Sequence, residues 1–219
     1  MTDRTVPASR TVVHLLRHGE VHNPAKVLYG RLPDFHLSDL GREMAVRAAQ
    51  ALADRDVVAV ISSPLDRAQE TAEPVAASHG LAIGIDANLI EATNVFEGQQ
   101  VTLAGSILKQ PRAWRHLYNP FTPSWGEPYV DIAARMRLAV AAARDAARGH
   151  EAVCVSHQLP VWIARLDAEH RRFAHDPRRR QCNLASLTSL TYEGDRLVSI
   201  TYTEPSADLV ARSNKGVGA

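Results

Sequence analysis

The chain has 219 residues, enough for one domain with a substantial core, and its 45% hydrophobic content is ordinary for a globular protein. A net charge of +1 excludes a strong general attraction to nucleic acid or to an anionic membrane surface. Two cysteines without zinc-site spacing, Cys154 and Cys182, do not make a disulfide framework and favour a reducing compartment. Because no apolar run reaches about 18 residues and the N-terminus is polar, we expect a cytoplasmic protein without a membrane segment.

The first part of the chain predicts a strand, a helix and a second strand. The run Val12–Leu16 is short, apolar and rich in β-branched residues, as in a buried strand. Residues 23–36 contain two prolines and a glycine, which indicate a loop. Ser38 is a suitable N-cap, and apolar residues recur at helical spacing from residue 39 to about 53. The run Val57–Ser62 then predicts a second buried strand.

The middle of the chain is less regular. Pro64 is expected to open a helix in which Pro74 introduces a kink or a break. The run Leu81–Asp86 predicts a short third strand. Residues 87–127 hold several prolines and a short helix candidate near Thr102–Lys109. We interpret this region as a cap insertion that covers one face of the core.

The last part of the chain returns to a regular pattern. Apolar residues at helical spacing predict a long helix over about 132–147, and Glu151–Ser156 predicts a fourth strand. A helix is expected from Pro160 to about Asp167. Two alternating stretches joined by Gly194-Asp195 predict a hairpin.

Strands that alternate with helices predict an α/β fold, a three-layer α/β/α sandwich with a mostly parallel central sheet. We expect one domain over residues 1–219, with flexible ends at 1–10 and 211–219. In such folds ligands bind at the carboxyl ends of the strands. The first and fourth predicted strands end at Arg17-His18 and Ser156-His157, so a site is predicted there.

Arginines near this edge indicate an anion site. Arg17 follows the first strand, and Arg67 lies just inside the helix after the second strand. If both side chains point into one crevice, they can make bidentate contacts to phosphate oxygens. The helix N-terminus nearby adds a favourable dipole, and Gly19 allows the backbone to approach a ligand without a Cβ in the way.

The histidines and a glutamate suggest the chemistry. An imidazole between two guanidiniums resists protonation, so we expect His18 to be neutral at pH 7 and able to attack an arginine-held phosphoryl group. His157 can share the binding of the phosphoryl oxygens as a hydrogen-bond donor or as an imidazolium. Glu91, after the third strand, is a candidate general acid if burial raises its pKa.

Several segments, taken in order, resemble those of the histidine phosphatase superfamily, which is also called phosphoglycerate mutase-like. They are LLRHGEVHN, SSPLDRAQETA, the glutamate of LIEA, and VCVSHQLP, and the resemblance covers roughly residues 12–190. The resemblance implies a phosphoglycerate mutase-like fold and a phosphohistidine on His18. It further implies a phosphate pocket and a proton donor, namely Arg17, Arg67, His157 and Asn23 for the pocket and Glu91 for the proton.

Two departures from the family pattern leave alternatives open. Gln158 replaces the usual glycine after the second histidine; its N–H can still bind phosphate, but its side chain can narrow or re-aim the pocket. Val95 stands where a glycine is usual, and the spacing to Glu97 is one residue shorter, so Glu97 rivals Glu91 as the proton donor. Asn23 precedes a proline and can instead be a turn residue.

Metal and nucleic-acid sites are less well supported. His14, His18 and His22 are four residues apart, but they lie on a strand and not on a helix, so they share no common face. We therefore expect no catalytic metal and no cofactor. The arginines at 171–172 and 178–180 are interpreted as a solvated loop, because no aromatic platform accompanies them; steering of anionic substrates is the other reading.

The sequence thus favours a metal-independent phosphatase that hydrolyses phosphate monoesters of a small metabolite through a phosphohistidine. A phosphoglycerate mutase primed by 2,3-bisphosphoglycerate is the alternative, and the few basic residues of 92–125 speak against it. A non-catalytic phospho-ligand binding protein is a third hypothesis. The expected partner is a small phosphorylated metabolite, and a homodimer is possible from base rates alone. No motif identifies the substrate.

Overall fold

A six-stranded sheet with helices on both faces is the centre of the fold in a computed structural model, which describes residues 9–100 and 126–213. In chain order the elements are β1 (Arg10–Arg17), α1 (Asp39–Leu52), β2 (Val57–Ser62), α2 (Asp66–His79), β3 (Ile83–Ile85), α3 (Tyr129–Ala146), β4 (Glu151–Ser156), α4 (Gln158–Ala168), β5 (Leu187–Glu193), β6 (Arg196–Thr203) and α5 (Ala207–Val210). Short 3₁₀ turns cover Ala87–Leu89 and Pro177–Arg179.

The strand order is β3-β2-β4-β1-β5-β6. The first four strands of that order run parallel, and the β5–β6 hairpin adds two antiparallel strands at one edge. The prediction of a mostly parallel α/β sheet is therefore confirmed. In the β1–β4 pair, Arg17 lies opposite Ser156, so these strands end at the same level of the sheet.

Alternating residues of β1 supply the two halves of the core. Leu16 packs with α1 and α2 on one face. Val13 and Leu15 pack with α3 and α4 on the other face. All three side chains are fully buried, as expected for a strand covered on both sides.

The helix predictions hold in outline, with one correction. Ser38 caps α1 by accepting a hydrogen bond from the N–H of Gly41 at 3.0 Å, as the sequence indicates. α2 begins at Asp66, two residues after Pro64, and it continues through Pro74, so the predicted break is wrong. Proline costs α2 one backbone hydrogen bond, but Val75 beside it is fully buried, and this packing keeps the helix intact.

The ends of the elements differ in smaller ways. β2 and β4 have the predicted bounds, the hairpin is confirmed, and β3 is shorter than predicted. Arg10 pairs with Glu193 in β1 and is not part of a flexible end. The sequence analysis missed α5. The helix candidate at 102–109 and most of the two predicted flexible ends lie outside the described residues.

Membrane insertion through a helix finds no support in the described part of the chain, where no helix combines the length and the apolar character that a bilayer span needs.

Candidate active site

Two histidines meet at the carboxyl edge of the sheet because β1 and β4 are parallel neighbours. His18 follows β1 and His157 follows β4, and the N–H of His18 donates to the carbonyl of Ser156 at 3.0 Å. The two imidazole centroids are 5.1 Å apart, and both side chains are fully buried. The sequence prediction that these strand ends come together is correct.

The tautomer of His18 follows from its backbone contact. Its Nδ1 lies 2.7 Å from the carbonyl oxygen of Gly19, which can only accept, so we assign the proton to Nδ1. Nε2 is then the unprotonated nitrogen. It is buried and has no hydrogen-bond partner among the described residues. His18 therefore holds an imidazole lone pair that no described protein group uses.

Burial and positive charge both disfavour protonation of His18. Burial is the largest effect and lowers the pKa of His18 well below its usual range; the charges of Arg67 and Arg17 lower it further. The contact with the Gly19 carbonyl opposes these effects but is outweighed. His18 is neutral at pH 7, as the sequence predicts.

Arg17 and Arg67 are buried cations, with exposed fractions of 8% and 1%. Arg17 Nη1 donates to the carbonyl of Cys182 at 2.8 Å, and Arg67 Nη2 donates to the carbonyl of Gly30 at 2.6 Å. The Nε–H of each is buried without a partner in the described ranges. The Arg67 guanidinium also lies over the Tyr29 ring, 4.7 Å from its centroid.

Neither guanidinium forms an ion pair with a carboxylate of the described residues; the groups that accept their hydrogen bonds are backbone carbonyls. Buried charges without a counter-ion are costly, by several kcal/mol, unless something compensates them. Burial accordingly lowers the pKa of Arg67, although the nearby Glu91 and Asp66 charges act to raise it. The arrangement is suited to an anionic ligand that supplies the missing negative charge.

His157 is held by a serine that the sequence analysis did not select. Its Nε2 lies 2.8 Å from Ser63 Oγ, and its Nδ1 is buried without a described partner. Burial, followed by the charges of Arg67, His18 and Arg17, lowers the pKa of His157 well below its usual range. In the free protein His157 is therefore a neutral hydrogen-bonding group, which disfavours the imidazolium alternative.

Glu91 and Glu97 have different surroundings. Glu91 is 4% exposed; its Oε1 accepts from the Ala92 N–H at 2.8 Å, and its Oε2 is buried with no described partner. Burial raises the pKa of Glu91 despite the opposing Ala92 N–H and arginine charges. Glu97 is half-buried and accepts from the Asn94 N–H at 3.1 Å, within its own turn. Geometry favours Glu91 over Glu97 as the candidate proton donor, because only Glu91 is buried and lies within electrostatic range of Arg67 and Arg17.

Asn23 and Gln158, two other selected residues, are bound to protein groups. The amide of Asn23 donates to the Val27 carbonyl at 2.8 Å and accepts from the Val27 N–H at 3.0 Å, which supports the turn interpretation. Gln158 begins α4, so its N–H is one of those that a helix leaves unpaired. Its side-chain oxygen accepts from Arg180 at 3.2 Å.

Gly19 is needed for packing against α1, a role that the sequence analysis did not foresee; its part in ligand approach stays a prediction. A Cβ on Gly19 would lie 2.5 Å from the carbonyl oxygen of Gly41 in α1. The Gly19 N–H is taken by Thr71 Oγ1 at 3.1 Å. The glycine therefore lets the strand end fit against α1, and this fit positions His18 beside it.

Three contributors to the site escaped the sequence analysis: Tyr29, Ser63 and Arg180. Ser63 directly follows β2, so the rule that ligands gather at strand ends could have selected it. Tyr29 and Arg180 lie in connections without periodicity. The interpretation of residues 178–180 as a solvated loop is wrong for Arg180, which is half-buried.

Asp34, His36 and Asp66 place one potential metal ligand each within 4.8 Å of one another at the surface. Two of the three side chains already have protein partners: His36 Nδ1 bonds to Glu70, and Asp66 Oδ2 accepts from the Asp34 N–H at 3.3 Å. The expectation that catalysis needs no metal stays a prediction.

The sheet order and the two helix layers are those of a phosphoglycerate mutase-like α/β protein. The model of the histidine phosphatase superfamily (branch 1) matches residues 13–204, and the chain belongs to this superfamily.

Known relatives include phosphatases and mutases. An uncharacterized protein of Mycobacterium tuberculosis is 62% identical, over 90% of this chain and 98% of its own. The native structure of a mycobacterial glucosyl-3-phosphoglycerate phosphatase superposes with a TM-score of 0.69 at 29% identity, over 89% of this chain and 96% of the other. A probable phosphoglycerate mutase of Erwinia tasmaniensis is 29% identical over 69% of this chain and 71% of its own.

Proposed function

We propose that the protein is a phosphatase that hydrolyses phosphate monoesters of a small metabolite through a phosphohistidine on His18. The observation that carries this proposal is the neutral imidazole of His18, whose Nε2 is unpartnered among the described residues and lies in the field of two buried arginines. The similarity to a glucosyl-3-phosphoglycerate phosphatase supports the reaction class.

In the first half-reaction, Nε2 of His18 attacks phosphorus and the bond from phosphorus to the ester oxygen breaks. Arg17 and Arg67 neutralise the equatorial oxygens, which is the main requirement of phosphoryl transfer. The unpartnered Nδ1 of His157 is available to a further oxygen as a donor when Ser63 donates to Nε2. Glu91 gives its proton to the leaving alkoxide, for which its raised pKa suits it.

In the second half-reaction, water attacks the phosphohistidine. Glu91, now a carboxylate, takes a proton from that water as the bond from Nε2 to phosphorus breaks. Inorganic phosphate leaves, the lone pair returns to His18, and Glu91 is again protonated. One water is consumed and one alcohol and one phosphate are released, so atoms and charges balance.

Trapping of the phosphoenzyme tests the proposal. During turnover of 4-nitrophenyl phosphate that carries a radiolabel on its phosphoryl group, the label should attach to the wild-type protein. The adduct should be stable to base and labile to acid. His18→Ala should lose both the label and at least about 10³-fold in kcat/KM. His22→Ala, an exposed histidine of the same segment, is the matched control and should retain both. Turnover in His18→Ala at the wild-type rate would disprove the nucleophile.

A phosphoglycerate mutase is the alternative function; it shares the first half-reaction, and the similarity to a probable phosphoglycerate mutase supports it. It requires that the phosphoryl group return to the substrate in a site that excludes water. Incubation with 3-phosphoglycerate and a 2,3-bisphosphoglycerate primer separates the two functions. Conversion to 2-phosphoglycerate without free phosphate would overturn the phosphatase proposal.

A further inference from the structure

Arg180 is a second kind of cation at the site. It lies in the connection between α4 and β5, and its side chain is half-buried. Its Nε donates to His175 Nε2 at 2.9 Å, and its Nη1 donates to Gln158 Oε1 at 3.2 Å. Both acceptors are neutral groups. Within the described ranges no carboxylate forms an ion pair with Arg180, whereas its neighbour Arg178 pairs with Asp176 at 3.0 Å.

Arg180 adjoins the phosphate pocket through Gln158. The Gln158 amide nitrogen makes a long contact of 3.5 Å with the carbonyl of Cys182, the same carbonyl that accepts from Arg17 at 2.8 Å. Burial lowers the pKa of Arg180, and the charges of Glu91 and Arg17 are near enough to shift it in opposite directions. The guanidinium therefore stands within electrostatic range of both the proposed proton donor and the phosphate-binding arginine.

The Arg180 side chain is held in place before any ligand binds. His175 donates through Nδ1 to the Phe173 carbonyl, so its Nε2 is the acceptor for Arg180. The His175 ring contacts the rings of Tyr129 and Trp162, with centroid distances of 5.7 and 5.9 Å. Burial lowers the pKa of His175, which keeps Nε2 unprotonated at neutral pH. These contacts reduce the entropy that Arg180 would lose on binding a ligand.

The free donors of Arg180 define the ligand chemistry. A guanidinium has five N–H groups, of which the His175 and Gln158 bonds use two; the other three have no partner in the described part of the chain. A planar cation with an unused edge binds a carboxylate or a phosphate in a bidentate manner. A neutral hydroxyl group would leave the charge uncompensated.

We infer that Arg180 recognises a second anionic group, a carboxylate or a second phosphate, on a substrate whose ester phosphate is bound by Arg17 and Arg67. The inference rests on the proposed phosphatase function and narrows its substrate class to monoesters with two anionic groups. Gln158 is then a positioning residue, because its side chain orients Arg180. This assigns a purpose to the residue that departs from the family pattern.

Matched substrate pairs test the inference. In 3-phosphoglycerate a carboxylate replaces the hydroxymethyl group of glycerol 3-phosphate, so the ratio of the two kcat/KM values isolates the second anion. The ratio of kcat/KM for fructose 1,6-bisphosphate to that for fructose 6-phosphate isolates the effect of a second phosphate in the same way. We expect the wild type to prefer the member of one pair that carries the second anionic group, and Arg180→Gln to reduce that preference about 10- to 100-fold. Arg178→Gln, an exposed arginine of the same loop, should preserve the preference.

The possible outcomes distinguish failure of the Arg180 inference from failure of the proposed phosphatase function. A preference reduced in Arg180→Gln and partly restored in Arg180→Lys supports the subsite, and the pair that shows it identifies carboxylate or phosphate. Hydrolysis of 4-nitrophenyl phosphate without preference in either pair, or a preference that Arg180→Gln preserves, overturns the inference and leaves the phosphatase standing. Failure of the wild type to hydrolyse any of these esters overturns both.

Discussion

Two buried histidines, His14 in β1 and His18 just after it, stand four residues apart in contrasting surroundings. Both ring nitrogens of His14 are used: Nδ1 lies 2.7 Å from Ser189 Oγ, and Nε2 lies 2.8 Å from Glu151 Oε2. His18 bonds only through Nδ1, and its Nε2 has no partner in the described ranges. The two residues share a segment of chain, a residue type and burial, and they differ in what surrounds them.

Charge separates the two sites further. At the amino-terminal end of the sheet, the Glu151 carboxylate contacts His14 and also receives two hydrogen bonds from Arg55, at 2.9 and 2.7 Å. At the carboxyl end, Arg17 and Arg67 have no such carboxylate among the described residues. A polar network whose members are all partnered stabilises the fold, whereas a buried set with unused donors and lone pairs is suited to a ligand. Burial of a histidine alone therefore does not indicate function, whereas buried donors and lone pairs without a protein partner do.

The largest expected effect comes from replacing each of the two histidines by alanine and comparing the two variants. His18→Ala should reduce kcat/KM for 4-nitrophenyl phosphate at least about 10³-fold, because it removes the proposed nucleophile, while changing the free energy of unfolding by about 1 kcal/mol or less. His14→Ala should lower the free energy of unfolding by about 2 kcal/mol, because it leaves the partly buried Ser189 and Glu151 without their shared partner, and retain kcat/KM. Urea unfolding and steady-state assays measure the two effects. Equal losses of activity in both variants would refute the contrast.

The second-largest effect is expected from the removal of one buried cation, Arg67. Arg67→Gln should lower kcat/KM about 10²- to 10³-fold, because the variant lacks a preorganised charge that we propose to neutralise the phosphoryl oxygens. The pKa of His18 should rise in this variant, since a cation that disfavours its charged form is gone. NMR titration of the imidazole measures this shift. Arg47→Gln, on an exposed arginine of α1, is the control. An unchanged His18 titration in Arg67→Gln would show that burial alone keeps the ring neutral.

A smaller, substrate-dependent effect is expected at Glu91. Glu91→Gln should lower kcat/KM about 10²-fold for an alkyl phosphate and less for 4-nitrophenyl phosphate, whose phenolate leaves without a proton. The raised pKa of Glu91 keeps its acid form present above the usual carboxyl range; activity on alkyl phosphates should fall as pH rises through that pKa. This decline should be absent in Glu91→Gln and present in the Glu97→Gln control. The reverse pattern would make Glu97 the proton donor.

The smallest expected effect is a pH-dependent loss of stability at the amino-terminal end. Burial acts to raise the pKa of Glu151, but hydrogen bonds from His14 and Arg55, with their charges, outweigh it and lower the pKa to about 2. Because the unfolded pKa is about 4.3, this stabilisation is fully present above that pH and is lost as pH falls towards 2. Glu151→Gln should cost about 2 kcal/mol at pH 7 and less at pH 3. A cost independent of pH, in urea unfolding, would contradict this linkage.

Much of the fold follows from the sequence because its strands are short, apolar and clearly bounded. β2 and β4 have the predicted ends, and the level at which β1 and β4 stop brings His18 and His157 together. The site residues on these strand ends could therefore be predicted. Local patterns carry this information because a parallel sheet collects the ends of its strands along one edge.

The remaining contributors depend on contacts that no local pattern encodes. Tyr29 and Arg180 lie in irregular connections, and only the folded chain places one over Arg67 and the other beside Gln158. Spacing leaves Glu91 and Glu97 as rivals, whereas burial distinguishes them. The continuation of α2 through Pro74 likewise depends on packing, which outweighs local propensity.

The pairing of Arg17 with Ser156 across two central strands has a consequence for the evolution of such proteins. The histidines inherit their separation from the ladder of backbone hydrogen bonds, and not from any surface segment. Segments such as the one that carries Arg180 can change in length and sequence while the two histidines keep their spacing. Proteins with this sheet can therefore change their ligand specificity through the connecting segments without moving the two histidines.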